Sequence, residues 1–175
     1  MRVARCADVL AQAHGLDAGK ARLAGLLHDL ARLYSGPRLI EECEQRGVAI
    51  GDFERRNPIV LHAPLGAVLA RDEFGVSDRE VHSAIAKHTL ADASMTALDT
   101  VVYLADALEP GRDYEGRREL WQLAMHDLRR AMIGTISSSL AHLADQGREP
   151  APQTLAALYA LEHERDTQGV LSSQN

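Results

Sequence analysis

Apolar residues recur along this chain at intervals of three and four, the repeat expected of helices that each bury one face. Val3, Cys6, Ala7 and Leu10 form the first such face, which His14-Gly15 closes. Asp17 is placed to cap a second helix running to about Leu33, with Leu23, Leu26, Leu27 and Leu30 expected on its inward side. Ser35 and Pro37 open a third, holding Leu39, Ile40 and Cys43 and ending at Gly47. The pattern fades into a loop from Gly47 to Asn57, and Asn57-Pro58 predicts a short turn before a helix from about Ala63 to Phe74, with His62 at the break. Ser77-Asp78-Arg79-Glu80 reads as a capping box ahead of Val81, Ala84, Ile85 and His88. Leu98, Val101, Val102 and Ala105 define the next inward face, with Asp106 beside it and Pro110 as its stop. One long helix is predicted from about Arg117 to Ala144, bent near Gly134. After a Gly147 to Pro152 linker, Leu155, Leu158 and Tyr159 mark a last helix.

This inventory predicts an all-α protein: a single helical bundle of about seven to nine helices over residues 1–165, with a flexible tail at 166–175. Composition agrees, since 46% hydrophobic residues suffice for a sizeable core and only 4% are aromatic. No stretch approaches the ~20 apolar residues of a membrane span. Arg2, Arg5 and Asp8 lie inside an amphipathic pattern rather than a secretory signal, so a cytoplasmic location is the default and no membrane partner is expected. Cys6 and Cys43 read as small core residues. The net charge of −6 and the lack of a Lys/Arg stripe argue against a polymeric nucleic acid partner, but leave room for a small anionic ligand.

The residues that interrupt these apolar faces carry the chemistry. In Leu23 to Arg32, which reads L-A-G-L-L-H-D-L-A-R, a His-Asp pair sits within an apolar run. A carboxylate taken toward a core needs a cation or hydrogen bonds. His28, Asp29, His62, His88 and Asp106 are all metal-ligand types, and their mixed nitrogen and oxygen donors suit iron, manganese, cobalt or zinc better than magnesium or calcium. His14, His82, His126, His142 and His163 lack that context and read as surface or helix-end residues. Trp121 and Tyr159 read as packing residues or as part of a dimer surface, and Arg117-Arg118-Glu119 as a solvated helix start.

Four segments taken in order, A-G-L-L-H-D-L-A-R at 24–32, L-H-A-P-L-G-A at 61–67, A-I-A-K-H-T at 84–89 and L-A-D-A-L-E-P-G-R at 104–112, resemble the HD-domain superfamily of metal-dependent phosphohydrolases. They look like one branch in particular, the symmetrical diadenosine tetraphosphatases, often called YqeK-like. That resemblance implies two transition-metal ions, iron before manganese or cobalt, and a dinucleoside polyphosphate substrate. It implies cleavage of diadenosine tetraphosphate to two ADP by a hydroxide shared between the metals. Asp29 would bridge the ions, His28 and Asp106 would complete one site, and His62 and His88 would hold the other. Arg112, Arg32 and Lys87 would meet phosphates, Thr89 would donate to a phosphate oxygen, and Glu109 would orient a ligand histidine or a water. The branch carries a further histidine a few residues before an Arg-Val-Ala triplet like Arg2-Val3-Ala4, which would fall ahead of Met1. A start lying upstream is the preferred explanation. The alternatives are a non-catalytic nucleotide or metal sensor with an incomplete site, and the same chemistry on another nucleotide; a homodimer also remains open.

Overall fold

The structure, a computed structural model, describes residues 1–163, so the tail expected at 166–175 lies outside the described residues. Every element among them is helical: α1 (Arg2–Ala13), α2 (Ala18–Leu27), α3 (Gly36–Gln45), α4 (Asp52–Arg56), a 3-10 turn (Pro58–Leu61), α5 (His62–Phe74), α6 (Arg79–Lys87), α7 (Ala97–Leu108), α8 (Arg117–Ala124), α9 (Leu128–Asp145) and α10 (Pro152–His163). Among the described residues no helix is long and apolar enough to cross a membrane.

α7 is the central element, with Leu98 through Ala105 and Leu108 all buried, and it packs against α1, α2, α6, α8 and α9. The main core gathers around it. A second, smaller cluster of Ala31, Leu39, Cys43, Leu61, Leu65 and Leu69 fills the space between α3, the 3-10 turn and α5. Leu30 packs against both clusters, so the residues just after α2 lie on the seam between them. Cys6 and Cys43 are both buried and unpaired.

Most boundaries fall where the capping signals predict. Asp17 accepts from the Lys20 amide at 3.0 Å, Gly15 closes α1 with φ +66°, and the break before α5 falls at His62. Four differences have physical causes. The predicted long helix from 117 to 144 is two helices, separated at Met125–Asp127, because Asp127 caps the Arg130 amide and starts α9 afresh; the bend is there and not at Gly134. The loop from 47 to 57 contains the short helix α4, with Asp52 and Glu54 in its first turn and Arg55 and Arg56 in its last, in accord with its dipole. Asp78, not Ser77, caps α6, accepting from the amides of Glu80 and Val81. The inward face of α2 is also not the leucine face: Leu23 and Leu26 are 37% and 55% exposed, whereas Ala21, Ala24 and Gly25 are buried. Small residues there let α1 approach so closely that a Cβ on Gly25 would lie 3.0 Å from Ala4 Cα.

That backbone contact gives a stability test. Gly25→Val forces α1 away from α2 and should lower the unfolding free energy by about 1–3 kcal/mol, read as a lower urea midpoint at constant slope. An unchanged midpoint would mean that the two helices can part freely.

Candidate metal centre

Three histidines reach the seam in the same way, each at the end of a helical turn. His28 is the C-cap of α2, His62 that of the 3-10 turn and His88 that of α6. Each Nδ1 donates to the carbonyl three residues earlier: His28 to Gly25 at 2.9 Å, His62 to Ile59, and His88 to Ile85 at 2.7 Å. The ring thus occupies a carbonyl that the next turn of helix would use, which explains why α2 stops at Leu27 rather than Leu33 and gives way to tight turns such as Leu30 N–H to Leu27 and Arg32 N–H to Asp29. It also settles the chemistry of the other nitrogen. With the proton on Nδ1, each neutral ring offers an Nε2 lone pair to the centre.

The carboxylates meet these nitrogens. Asp29 faces His28 Nε2 with Oδ2 at 3.4 Å, and faces His62 Nε2 and His88 Nε2 with Oδ1 at 3.3 and 3.7 Å. Asp106, from the last turn of α7, places Oδ1 3.7 Å from His28 Nε2. His28, His62 and His88 are 8%, 5% and 3% exposed, whereas the Asp29 side chain, 43% exposed, opens toward the cleft. His62 Nε2 and His88 Nε2 lie only 3.2 Å apart. Two lone pairs so close repel unless a cation lies between them or one takes up a proton. The Thr89 hydroxyl, 3.2 and 3.0 Å from these nitrogens, has a single proton and can satisfy one of them. Ligands ~2.1 Å from one ion lie about 3 Å apart at right angles and about 4 Å apart when opposed, which matches these separations. Among the described residues the metal-competent groups are His28, His88 and Asp106, and Asp29, His62 and His88. The residues present therefore fit bound metal ions, with the C-terminal ends of α2 and α6 adding negative potential.

All five sequence-predicted ligands thus converge; the other expected site residues divide. Arg32 and Arg112 line the same cleft, of about 540 Å³, as Asp29, His62, His88 and Thr89. Arg112 donates through Nη2 to Asp106 Oδ1 at 2.6 Å and through Nε to the Asp106 carbonyl at 3.1 Å, leaving half its side chain exposed. Lys87 does not join the cleft, because its ammonium is drawn into the core by Asp99 at 3.2 Å and by the Ser94 carbonyl at 2.9 Å. Asp99 is fully buried; its partner Thr96 completes a capping box that is visible in the sequence as T-A-L-D. Nor does Glu109 touch a histidine: its carboxylate pairs with Arg2 at 2.7 Å and accepts the Gly111 amide at 2.8 Å. His142, set aside as a helix-end residue, is one of the cleft residues, as are Tyr103, Tyr114 and Ser139. Periodicity carries no signal for these, since Tyr103, Ser139 and His142 reach the cleft by the crossing of α7 and α9, and Tyr114 by the loop that follows α7.

The electrostatics follow from burial and pairing. Burial disfavours the imidazolium of His28, yet hydrogen bonds to Asp106 and Asp29 outweigh it and raise its pKa to about 9. Burial likewise favours neutral Asp29, but the three histidines outweigh it and hold its carboxyl far below the usual carboxylate range. Asp106 is lowered too, where His28 and Arg112 overcome desolvation.

The HD domain family matches residues 1–111. The symmetrical bis(5'-nucleosyl)-tetraphosphatase of Bacillus subtilis (strain 168) is 36% identical over 148 residues, 83% of this chain and 77% of that protein. The protein of the same name from Halalkalibacterium halodurans is 32% identical over 151 residues, 84% and 78% of the two chains. A crystal structure from Clostridium acetobutylicum, described as a "predicted HD superfamily hydrolase involved in NAD metabolism", superposes with a TM-score of 0.91 at 34% identity, over 94% of this chain and 87% of that one.

The shifts predict how metal-free protein responds to pH. The raised pKa of His28 contributes stability that is complete below about pH 6.5 and lost as the pH rises through about 9. The lowered values of Asp29 and Asp106 contribute stability present above about pH 4 and lost on further acidification. In excess chelator the melting temperature should therefore plateau between about pH 4.5 and 6.5 and fall toward pH 9. A melting temperature that climbs from pH 6.5 to 9 would contradict the pairing.

Proposed function

This chain belongs to the HD domain family, and from that premise we propose that it is a metal-dependent hydrolase that cleaves diadenosine tetraphosphate symmetrically into two ADP. The observation that carries the reading is the convergence of three imidazole Nε2 atoms and two carboxylates, all within a few ångströms, at an open cleft lined by Asp29, His62, His88 and Asp106. Relatives that bear the name of this activity match most of the chain at 32–36% identity. Water adds across the central P–O–P anhydride, and each half departs as ADP, with no side-chain nucleophile required.

Residues His28 and Asp106 would hold one ion and His62 and His88 the other, with Asp29 offering an oxygen to each; the donor set fits iron, manganese or cobalt. Bound metals would supply Lewis acidity toward phosphoryl oxygens and lower the pKa of water toward neutrality. The chain's own residues do the remaining work. Arg32 and Arg112 bring positive charge to a cleft in a protein of net charge −6, so that a polyanion is held where the local field favours it. Arg112 is aimed by its two bonds to Asp106, which tie the phosphate-binding guanidinium to a ligand carboxylate. The Nδ1–carbonyl bonds stop the imidazoles from rotating and keep their acceptor nitrogens toward the centre. Thr89 supplies a hydroxyl within reach of the same volume.

Product analysis is the direct test. Protein loaded with ferrous iron or manganese should convert diadenosine tetraphosphate to ADP alone, resolved by anion exchange. ATP with AMP would refute the cleavage plane, and intact substrate over metal-loaded protein would refute the enzyme. Asp29→Ala should lose both turnover and bound metal, measured by elemental analysis; full activity would refute the two-ion assignment. Arg112→Ala should keep its metal while kcat/KM falls about 10- to 100-fold.

A further inference from the structure

The metal cleft does not end at Arg112. A second cavity of about 790 Å³ opens beyond it between the loop Arg112 to Gly116 and the outer face of α9. The two share Arg112, Tyr114, Ser139 and His142 as their common wall. Its size falls within the range of small-molecule sites, but its chemistry differs from that of the cleft. Asp113, Glu115 and Asp145 line it, against Arg112 as the one Arg or Lys, so phosphate would be repelled there. An uncharged group with hydroxyls would not be. Carboxylates are suitable acceptors for a ribose diol, and an aromatic ring at the boundary offers a stacking face to a base. Tyr114 is that ring: its hydroxyl donates to the Ala107 carbonyl at 3.2 Å, which holds it between the two cavities while 36% of the residue stays exposed. Across the shared wall, His142 is steadied by the Gln146 amide, which donates to its Nε2 at 2.8 Å.

We infer that this groove is the subsite for one nucleoside arm of the substrate, with the base against Tyr114 and His142, the ribose hydroxyls toward Asp145, and the phosphates turned back past Arg112 to the metal ligands. Charge orders the site from end to end. Cations and metal ligands take the phosphates, and the acidic groove takes the neutral nucleoside. The inference rests on the proposed activity for the identity of the substrate, and names where one end of it binds.

Calorimetric titration of manganese-loaded protein with ADP, and with pyrophosphate as the nucleoside-free control, tests it. Tyr114→Ala should weaken ADP about tenfold, Tyr114→Phe should restore most of that loss, and Asp145→Lys should also weaken ADP. Pyrophosphate should bind all three variants within about twofold of the parent. Unchanged ADP affinity in Tyr114→Ala would overturn the subsite. So would tighter binding of both ligands to Asp145→Lys, since that would put phosphates in the groove. Failure of the proposed activity reads out separately, as the expected ADP pattern in protein that releases no ADP from diadenosine tetraphosphate.

Discussion

The constraint on which the site depends is the donation of each histidine Nδ1–H to the carbonyl three residues before it. A helix end leaves carbonyls without intrahelical partners, and a ring that takes one of them caps the turn and fixes its own tautomer at once. Repeated at His28, His62 and His88, that local event directs three acceptor nitrogens at one volume. The result is a cluster of imidazoles and carboxylates that, without a metal, is held by the proton His28 shares with Asp29 and Asp106, and that presents the same atoms to a metal ion.

Bringing three helix ends together places demands on the packing far from the ligands. α1 lies against the Ala21-Ala24-Gly25 face of α2, the same turn whose Gly25 carbonyl accepts from His28. On the other side, Gly66 in α5 passes the backbone of His28 so closely that a Cβ there would sit 3.3 Å from the His28 carbonyl oxygen. The absence of a side chain at these two positions sets the distance between helices, and that distance sets the geometry of the centre. Leu30, shared by the two apolar clusters, anchors the turn that carries Asp29.

Charge is divided by location. The acidic surface would discourage a polyanion, and positive charge is correspondingly concentrated at Arg32 and Arg112 on the cleft. Lys87, adjacent to a ligand in sequence, is diverted to Asp99, because a buried carboxylate without a cation would be costly and Lys87 is near enough to reach it. Adjacency along a helix therefore misleads: neighbouring residues point about 100° apart, so His88 faces the centre and Lys87 faces away from it.

What the sequence by itself determined is the all-helical architecture, the break at His62 and the five residues that converge on the centre. These are local signals: apolar period, caps, and ligand-type side chains interrupting a buried face. Tertiary structure decided that Ala and Gly rather than Leu23 and Leu26 form the buried side of α2, that Lys87 and Glu109 serve other partners, and that Tyr114 and His142 wall the cleft. Each of these depends on which surfaces of neighbouring helices and loops meet, and at what distance. A helical repeat encodes the face that turns inward, but not the neighbour it will find there.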